Sequence, residues 1–220
     1  MTALTGTNVA DRVKRQFGDE AAAQITDAML LDYINDAMRE IVSRNDELFQ
    51  AKAAASTVNG TESYDLPTLA TNILRLNTVK YKGVTVDFLS IQQADETYPE
   101  KDVLPRPTGM PRHYWIWANK IIFEPAPDST GSNLVIYFQT YPTPISALSD
   151  TIPLPERYHL KVVDYCIAKA AELDDDDERH GSKMAQLSAD LDMMNTDTYR
   201  PSQETYPYVT VSTEDMFYGY

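Results

Sequence analysis

Residues 26–42 read TDAMLLDYINDAMREIV, and this stretch decides how the chain folds. Thr26 is a suitable N-cap, and Asp27 places a negative charge in the first turn, where the helix dipole favours it. Four apolar side chains recur at intervals of three and four residues, namely Leu30, Ile34, Met38 and Ile41. The spacing predicts an amphipathic helix of about five turns, which buries one face only and therefore needs a partner.

Three further segments have helical spacing. Thr7 is predicted to cap a helix that ends at Gly18 and carries a narrow apolar stripe. A second helix opens at Pro155, because the missing N–H of proline is tolerated in a first turn. A third is expected after Gly181. Their apolar positions are Val9, Val13 and Phe17, then Leu160, Val163, Ile167 and Ala170, then Met184, Leu187, Leu191 and Met194.

The middle of the chain changes to the period of two that is typical of strands. Asn59-Gly60 predicts a hairpin between residues 53–58 and 61–66, and Asn119-Lys120 predicts a second one. Gly83 is expected to turn the chain before the strand Val84–Phe88, and the shifted alternation just before it suggests a bulge. Short strands with hairpin turns predict an antiparallel sheet, or a small barrel.

The order of these segments predicts an α+β fold. The simplest arrangement pairs the N- and C-terminal helices in an antiparallel helical bundle and inserts the β region between them. We expect residues 1–52 and 151–195 to form the helical domain and residues 53–150 the inserted antiparallel β-sheet or small barrel. Residues 196–220 have no helical stripe and are expected to form an extended C-terminal arm.

The predicted arm is rich in aromatic residues, since five of the 14 tyrosines lie in it. Tyrosine offers a large contact area at low entropic cost, and exposed aromatic side chains are unfavourable on a free tail. The alternative is a merely frayed terminus. We expect the arm to order on a partner through Tyr199, Tyr206, Tyr208, Phe217, Tyr218 and Tyr220.

The charge and composition of the chain limit the functions that it can have. The formal charge of −14 disfavours tight nucleic-acid binding, which needs clustered lysine and arginine, although an acidic surface would suit a channel through which DNA slides. The alternative is that the charge only provides solubility. No apolar run is long enough to cross a membrane, and the N-terminus lacks a secretory signal, so a cytosolic, reducing environment is expected.

No catalytic constellation is predicted, and neither a metal nor a cofactor is expected. Cys166 falls on an apolar helix face, and His113, His159 and His180 do not share a metal-ligand spacing. The acidic run of residues 174–178 does not match a calcium loop and is interpreted as a solvated bend, with weak cation binding left open.

Trp115 and Trp117 alternate along one strand and therefore share a sheet face. Their indoles could stack on a sugar or a base. The alternative is that they pack in a core or an interface. A ligand-binding β module is thus a separate hypothesis, and a hydrolase is a more distant one.

Five short motifs follow one another in an order that resembles a known family. They are LDYINDAMREI (31–41), YDLP (64–67), GMPRHY (109–114), FEPAPD (123–128) and IPLPERY (152–158). In this order they resemble the head-to-tail adaptor (connector) proteins of tailed bacteriophages, including the tail tubular protein A type. The resemblance covers about residues 25–195 and leaves the arm outside.

The resemblance implies a structural virion protein in the neck of the particle, made in the host bacterial cytoplasm. Such adaptors form a homo-oligomeric ring, commonly twelvefold, beneath the portal protein and present a site for a tail nozzle or tail tube protein. Genome DNA passes through the lumen without specific binding, and no membrane is involved. Another phage neck or baseplate component is the alternative. In either case, one-sided helices and the aromatic arm are expected to be completed by other subunits.

Overall fold

The computed structural model describes residues 4–18, 24–100, 106–173 and 176–196. The prediction of a mixed α+β fold is confirmed. Six helices are described: α1 (Gly6–Phe17), α2 (Asp27–Arg44), α3 (Leu66–Leu69), α4 (Ile91–Thr97), α5 (His159–Leu173) and α6 (Asp177–Thr196). The strands are β1 (Gln50–Thr57), β2 (Ser63–Asp65), β3 (Ile73–Tyr81), β4 (Val84–Phe88), β5 (Thr108–Gly109), β6 (His113–Trp117), β7 (Lys120–Glu124), β8 (Ala126–Pro127) and β9 (Gly131–Thr140).

The helix ends follow local capping chemistry. The Thr26 side chain accepts a hydrogen bond from the Met29 N–H, so the predicted start of α2 is confirmed. The start of α1 was predicted two residues late, because the cap is Thr5 rather than Thr7. Gly18 ends α1 at φ 67°, as expected for a residue that adopts the left-handed conformation without strain.

The C-terminal helices differ from their predicted limits. Pro155 caps a short 3-10 turn over Glu156–Tyr158, and α5 follows it directly. Leu160 was assigned to the buried stripe of this helix and is instead 61% exposed, because the neighbouring positions turn inward. Helix α6 begins at Asp177, so Gly181 lies inside the helix rather than before it.

The long helices bury their apolar faces together. Side chains from α1, α2, α5 and α6 form one apolar core, which also receives residues from the segments that flank the helices. Ile34, Ile41 and Val162 are fully buried in it. The expectation that one-sided helices are completed by other subunits is therefore wrong for these faces, because the chain supplies its own partners.

The seven-stranded sheet has the order β1-β9-β3-β4-β6-β7-β2 and is curled into a half-barrel. Neighbouring strands of this sheet are antiparallel, as predicted, except β4 and β6, which pair in parallel. A parallel pair needs a crossover connection, and α4 lies in the connection between β4 and β6. Strands β5 and β8 form a separate two-stranded parallel pair.

The predicted turns are present, but one of them does not form a hairpin. Gly83 closes the turn between β3 and β4, and Ala118 and Asn119, both at positive φ, join β6 to β7. Gly60 also turns the chain, with the Thr61 N–H bonded to the Val58 carbonyl at 3.0 Å. The strands on either side separate there, because β1 pairs with β9 and β2 pairs with β7.

A second apolar core fills the concave side of the sheet. Tyr81, Ile121, Phe123, Leu134 and Ile136 are fully buried there. Helix α3 and the alanines of β1 pack against this core, so small side chains on β1 lie where the helix approaches. Because the helical core is separate, the molecule has two packed bodies within one chain.

Candidate interaction surfaces

A buried polar junction connects the helical core to the sheet. Gln139 on β9 is 1% exposed, and its amide donates to the carbonyls of Val42 (2.9 Å) and Asn45 (2.6 Å) at the end of α2. The Asn45 side chain donates in turn to the Tyr158 hydroxyl at 2.5 Å. These bonds fix how the sheet projects from the helices, and neither hydropathy nor spacing marked Gln139 in advance.

A partly buried group of charges anchors Arg106, two residues before β5. Arg106 lies 2.6 Å from a Glu62 carboxylate and 3.7 Å from Glu124, between Nη1 and Oε2. Burial raises the pKa of Glu124, the Arg106 guanidinium opposes that rise, and Glu62 reinforces it. The arrangement holds the loop to the sheet through one cation shared by two carboxylates.

Strand β1 forms one edge of the sheet and is long for an edge. The Thr140 N–H donates to the Phe49 carbonyl at 3.0 Å, and this bond sets the alternation along the antiparallel pair. Ala51, Ala53 and Ala55 therefore bond to β9, whereas the N–H and C=O groups of Lys52 and Ala54 point away from it. Among the described residues these outward groups have no recorded partner, and both residues are exposed.

The opposite edge is built differently. Strand β2 has only three residues, and it is followed at once by α3, with Pro67 in the first turn. Lys120 and Asp65 form an ion pair across the last register position, 3.6 Å apart. Short length, charge and proline protect an edge strand against pairing with other chains. Of these three features β1 has only the charge of Lys52, and a register shift between Ala55 and Thr57 makes the end of its pairing with β9 irregular.

The convex face beside the β1 edge carries a basic and aromatic group. The ring of Tyr137 on β9 lies between two ammonium groups, with Lys52 Nζ 5.7 Å and Lys80 Nζ 5.4 Å from its centroid. Such contacts orient both lysines across three adjacent strands. A positive group on a chain of charge −14 is a local site for an acidic partner. The sequence offered no signal for it, because the three residues are far apart in the chain.

An open apolar groove of about 570 Å³ lies beside α3, where β3 and β6 border it. Its apolar lining consists of Leu66, Pro67, Ala70, Ile73, Leu74, Leu76 and Ile116. Trp117, next to the groove residue Ile116, is 62% exposed. The groove is a candidate contact surface on the sheet body.

The helical body also leaves apolar side chains in solvent. Leu160 and Leu173 at the two ends of α5, and Met193 near the end of α6, are among its exposed large apolar residues. They lie outside the shared core, so they do not stabilise the monomer by burial. They are candidates for contacts with other molecules.

Each of the three histidines lies within hydrogen-bond distance of another group of the same chain. The Tyr98 hydroxyl lies 2.6 Å from His113 Nδ1. His159 Nε2 lies 2.8 Å from the Leu154 carbonyl, and His180 Nδ1 lies 2.9 Å from that of Ala168. The structure does not bring the three histidines together, and the described residues contain no group of three or more side chains placed to hold a metal ion.

Cys166 is fully buried in the helical core, as its position on an apolar face predicts. Burial raises the pKa of its thiol, because a thiolate would be poorly solvated there. A nucleophilic cysteine needs the opposite shift. The thiol therefore packs as a small apolar group.

The two tryptophans have different environments. Trp115 is 2% exposed, and Tyr98 from the segment after α4 stacks on it with a centroid separation of 6.5 Å. Only Trp117 is open to solvent. A ligand that stacks on both indoles would have to displace Tyr98, so the structure does not support the ligand-binding hypothesis in that form.

Three of the five residues in the acidic run 174–178 belong to the described part of the chain. Asp176 caps α6, since its carboxylate accepts the Arg179 N–H at 3.0 Å, and Asp177 and Glu178 lie in the first turn. Negative charge is favourable at that end of a helix. The other two aspartates of the run lie outside the described residues. In the described part of the chain, no helix combines the length and the apolar character needed to cross a bilayer.

The predicted partner contacts of the arm lie outside the described residues, since the description ends at Thr196. This set comprises Tyr199, Tyr206, Tyr208, Phe217, Tyr218 and Tyr220. Their role stays a prediction. The surfaces above are therefore the ones that the folded body offers.

Comparison with known families identifies the class of protein. The family model described as SU10 adaptor protein matches residues 4–209, which is nearly the whole chain. This is a class of bacteriophage structural adaptor proteins, components of the virion. The chain belongs to the SU10 adaptor protein family, and the resemblance to head-to-tail adaptors is confirmed. No match was found among curated proteins.

Proposed function

We propose that this protein is a head-to-tail adaptor that forms a ring, twelvefold as is common in the adaptors it resembles, beneath the portal of a tailed phage. The ring extends the DNA channel and presents the attachment site for a tail nozzle or tail tube protein. The observation that carries this proposal is the family match over residues 4–209. A finer assignment, to the tail tubular protein A type, belongs to the same proposal.

The subunit is divided as its sequence suggests. The helices of residues 1–52 and 151–195 form an antiparallel bundle that contacts the portal and neighbouring copies, and residues 53–150 form the inserted β subdomain. The separate helical and sheet cores support such a division. The arm of residues 196–220 reaches neighbouring subunits through its aromatic side chains. Synthesis in the host cytoplasm precedes incorporation into the neck of the virion.

The charge of the chain supports a channel function. With 33 acidic and 19 basic residues, the ring would repel DNA phosphates on average and let the genome slide. A ring also needs heterologous contacts, in which one patch meets a different patch on the next copy. The groove beside α3 and the exposed residues of α5 and α6 provide distinct patches on the two bodies.

Electron microscopy of the protein alone and mixed with its portal protein tests the proposal. We expect ring-shaped density stacked on the portal. A chain that stays monomeric and does not bind the portal would refute the proposal. Co-purification with a baseplate instead of the portal would favour the alternative, another phage neck or baseplate component.

Truncation tests the role of the arm. Removing residues 197–220 keeps α6 whole and should leave a folded monomer that assembles poorly. A matched control keeps the full length and replaces only the six aromatic residues of the predicted contact set by serine. Loss of assembly in both variants would assign the contacts to those side chains, and normal particle assembly by the serine variant would exclude them.

A further inference from the structure

The edge of β1 has the geometry of an acceptor for an additional strand. We propose that the arm of a neighbouring copy adds a strand, residues 208–213, to this edge. The inference rests on the proposed ring and names the contact that would close it. It starts from the outward N–H and C=O groups of Lys52 and Ala54, which are exposed and have no recorded partner among the described residues.

Over its first six residues, Gln50 to Ala55, the edge lacks the proline and the dense charge that normally prevent strand addition, and a register shift between Ala55 and Thr57 bounds this stretch. Gln50–Thr57 is an eight-residue strand, about 26 Å long, with no proline and one charged residue. Its exposed side chains include Ala54 and Ser56, which are too small to hinder an approaching backbone. The opposite edge has three residues, a salt bridge and a following proline helix. One edge is thus closed and the other open within the same sheet.

The chain beyond the described residues contains a suitable donor. Residues 208–213 read YVTVST, in which four of six residues are β-branched valine or threonine, and Pro207 stands immediately before them. Such residues favour strands. Backbone bonds to the edge would provide affinity, and alternate side chains would provide specificity.

The charges on the two sides are complementary. Glu204 lies before the donor segment, and Glu214 and Asp215 follow it. Beside the acceptor edge lie the ammonium groups of Lys52 and Lys80, both held over the Tyr137 ring. Opposite charges at the ends of a pairing help to set its direction and register.

The connection is long enough for the arm to reach the edge of a second copy. Helix α6 runs close to the end of α2, since Arg44 Nη1 lies 2.6 Å from the Ser188 hydroxyl. From the end of α2 the chain needs only residues 45–49 to reach its own β1. Residues 197–207, with two prolines, could extend about 35–40 Å. That reach covers a neighbour's edge as well as the chain's own edge. The proposed ring, in which each copy contacts the next through different patches, selects the neighbour.

Disulfide trapping tests this contact in the full-length chain. Ala54→Cys protein is mixed with variants that each carry one introduced cysteine at a position from 208 to 213, and the mixture is assembled on the portal protein and oxidised. Dimers are expected at alternate donor positions only, because successive side chains of a strand point to opposite faces. Asp65→Cys on the opposite edge is the matched control and should give none. Cys166 is fully buried and should not interfere.

Two other results would overturn the inference. The first uses a variant that carries Ala54→Cys and one arm cysteine in the same chain. If this variant forms a cross-link within the chain, and the mixture of separate variants gives no dimers, the arm folds back on its own edge. In the second result, rings assemble but no cross-link forms, which would refute strand addition without affecting the proposed adaptor function. If the unmodified protein forms no rings, the adaptor function itself is refuted.

Hydrogen exchange of the unmodified protein gives a check that needs no variant. Upon assembly the amides of Lys52 and Ala54 should become protected by at least tenfold, whereas the Ala53 amide, which bonds to β9, should be protected in both states. Unchanged exchange at Lys52 and Ala54 in assembled rings would also overturn the inference.

Discussion

Replacing Gln139 by methionine should loosen the junction between the helices and the sheet. The Gln139 amide is the one donor shared by the Val42 and Asn45 carbonyls, and methionine keeps its length and shape while removing it. The perturbation therefore isolates two hydrogen bonds without opening a cavity. It changes the connection between the two bodies rather than either core.

The expected cost follows from the bonds that are lost and kept. Two buried hydrogen bonds contribute about 2 kcal/mol together. Both carbonyls keep a second donor, because Asn45 N–H bonds to Val42 at 3.2 Å and Leu48 N–H to Asn45 at 3.3 Å. Removing the Gln139 Oε1, which has no hydrogen-bond partner in the described structure, returns up to about 1 kcal/mol. The free energy of unfolding should thus fall by about 1–2 kcal/mol.

Urea unfolding followed by circular dichroism measures this change. In a thermal scan it corresponds to a decrease in Tm of about 2–8 °C for a chain of this length. The matched control is Gln50→Met, since Gln50 pairs with Gln139 in the β1–β9 register but is exposed. The control should stay within about 0.5 kcal/mol of the wild type. Equal stability of the two variants would refute the assigned role of the junction.

Three further predictions concern buried and exposed groups. Burial raises the pKa of Glu124, so the folded protein holds this proton more tightly than the unfolded chain does. The free energy of unfolding should therefore fall as pH rises from about 4.5 through the raised pKa. The Glu124→Gln variant should lack this part of the pH profile of stability. Acrylamide should quench the emission of Trp115→Phe protein, which keeps the exposed Trp117, far more strongly than that of Trp117→Phe protein; equal quenching would contradict the assigned burial. Cys166 should react with a thiol reagent only at the rate of unfolding, and fast native labelling would disprove its burial.

Local chemistry allowed most helices and turns to be predicted. The Thr26 cap and the Gly18 stop depend on neighbours within four residues, and they form as the sequence indicates. Pairing of strands could not be predicted in the same way. The Asn59-Gly60 turn forms, yet its flanking strands bond to β9 and β7, whose paired residues lie at least 55 positions further along the chain.

The sequence by itself determined the α+β class, the aromatic character of the last 24 residues and the family to which the chain belongs, because composition, period and motif order are properties of the linear chain. Only the tertiary structure decided which edge of the sheet is open, that Tyr137 lies between two lysines and that Gln139 joins the two bodies. Each of these depends on segments that are distant in sequence. Local propensities cannot specify such contacts, since the free energy that selects them is gained when the two cores pack.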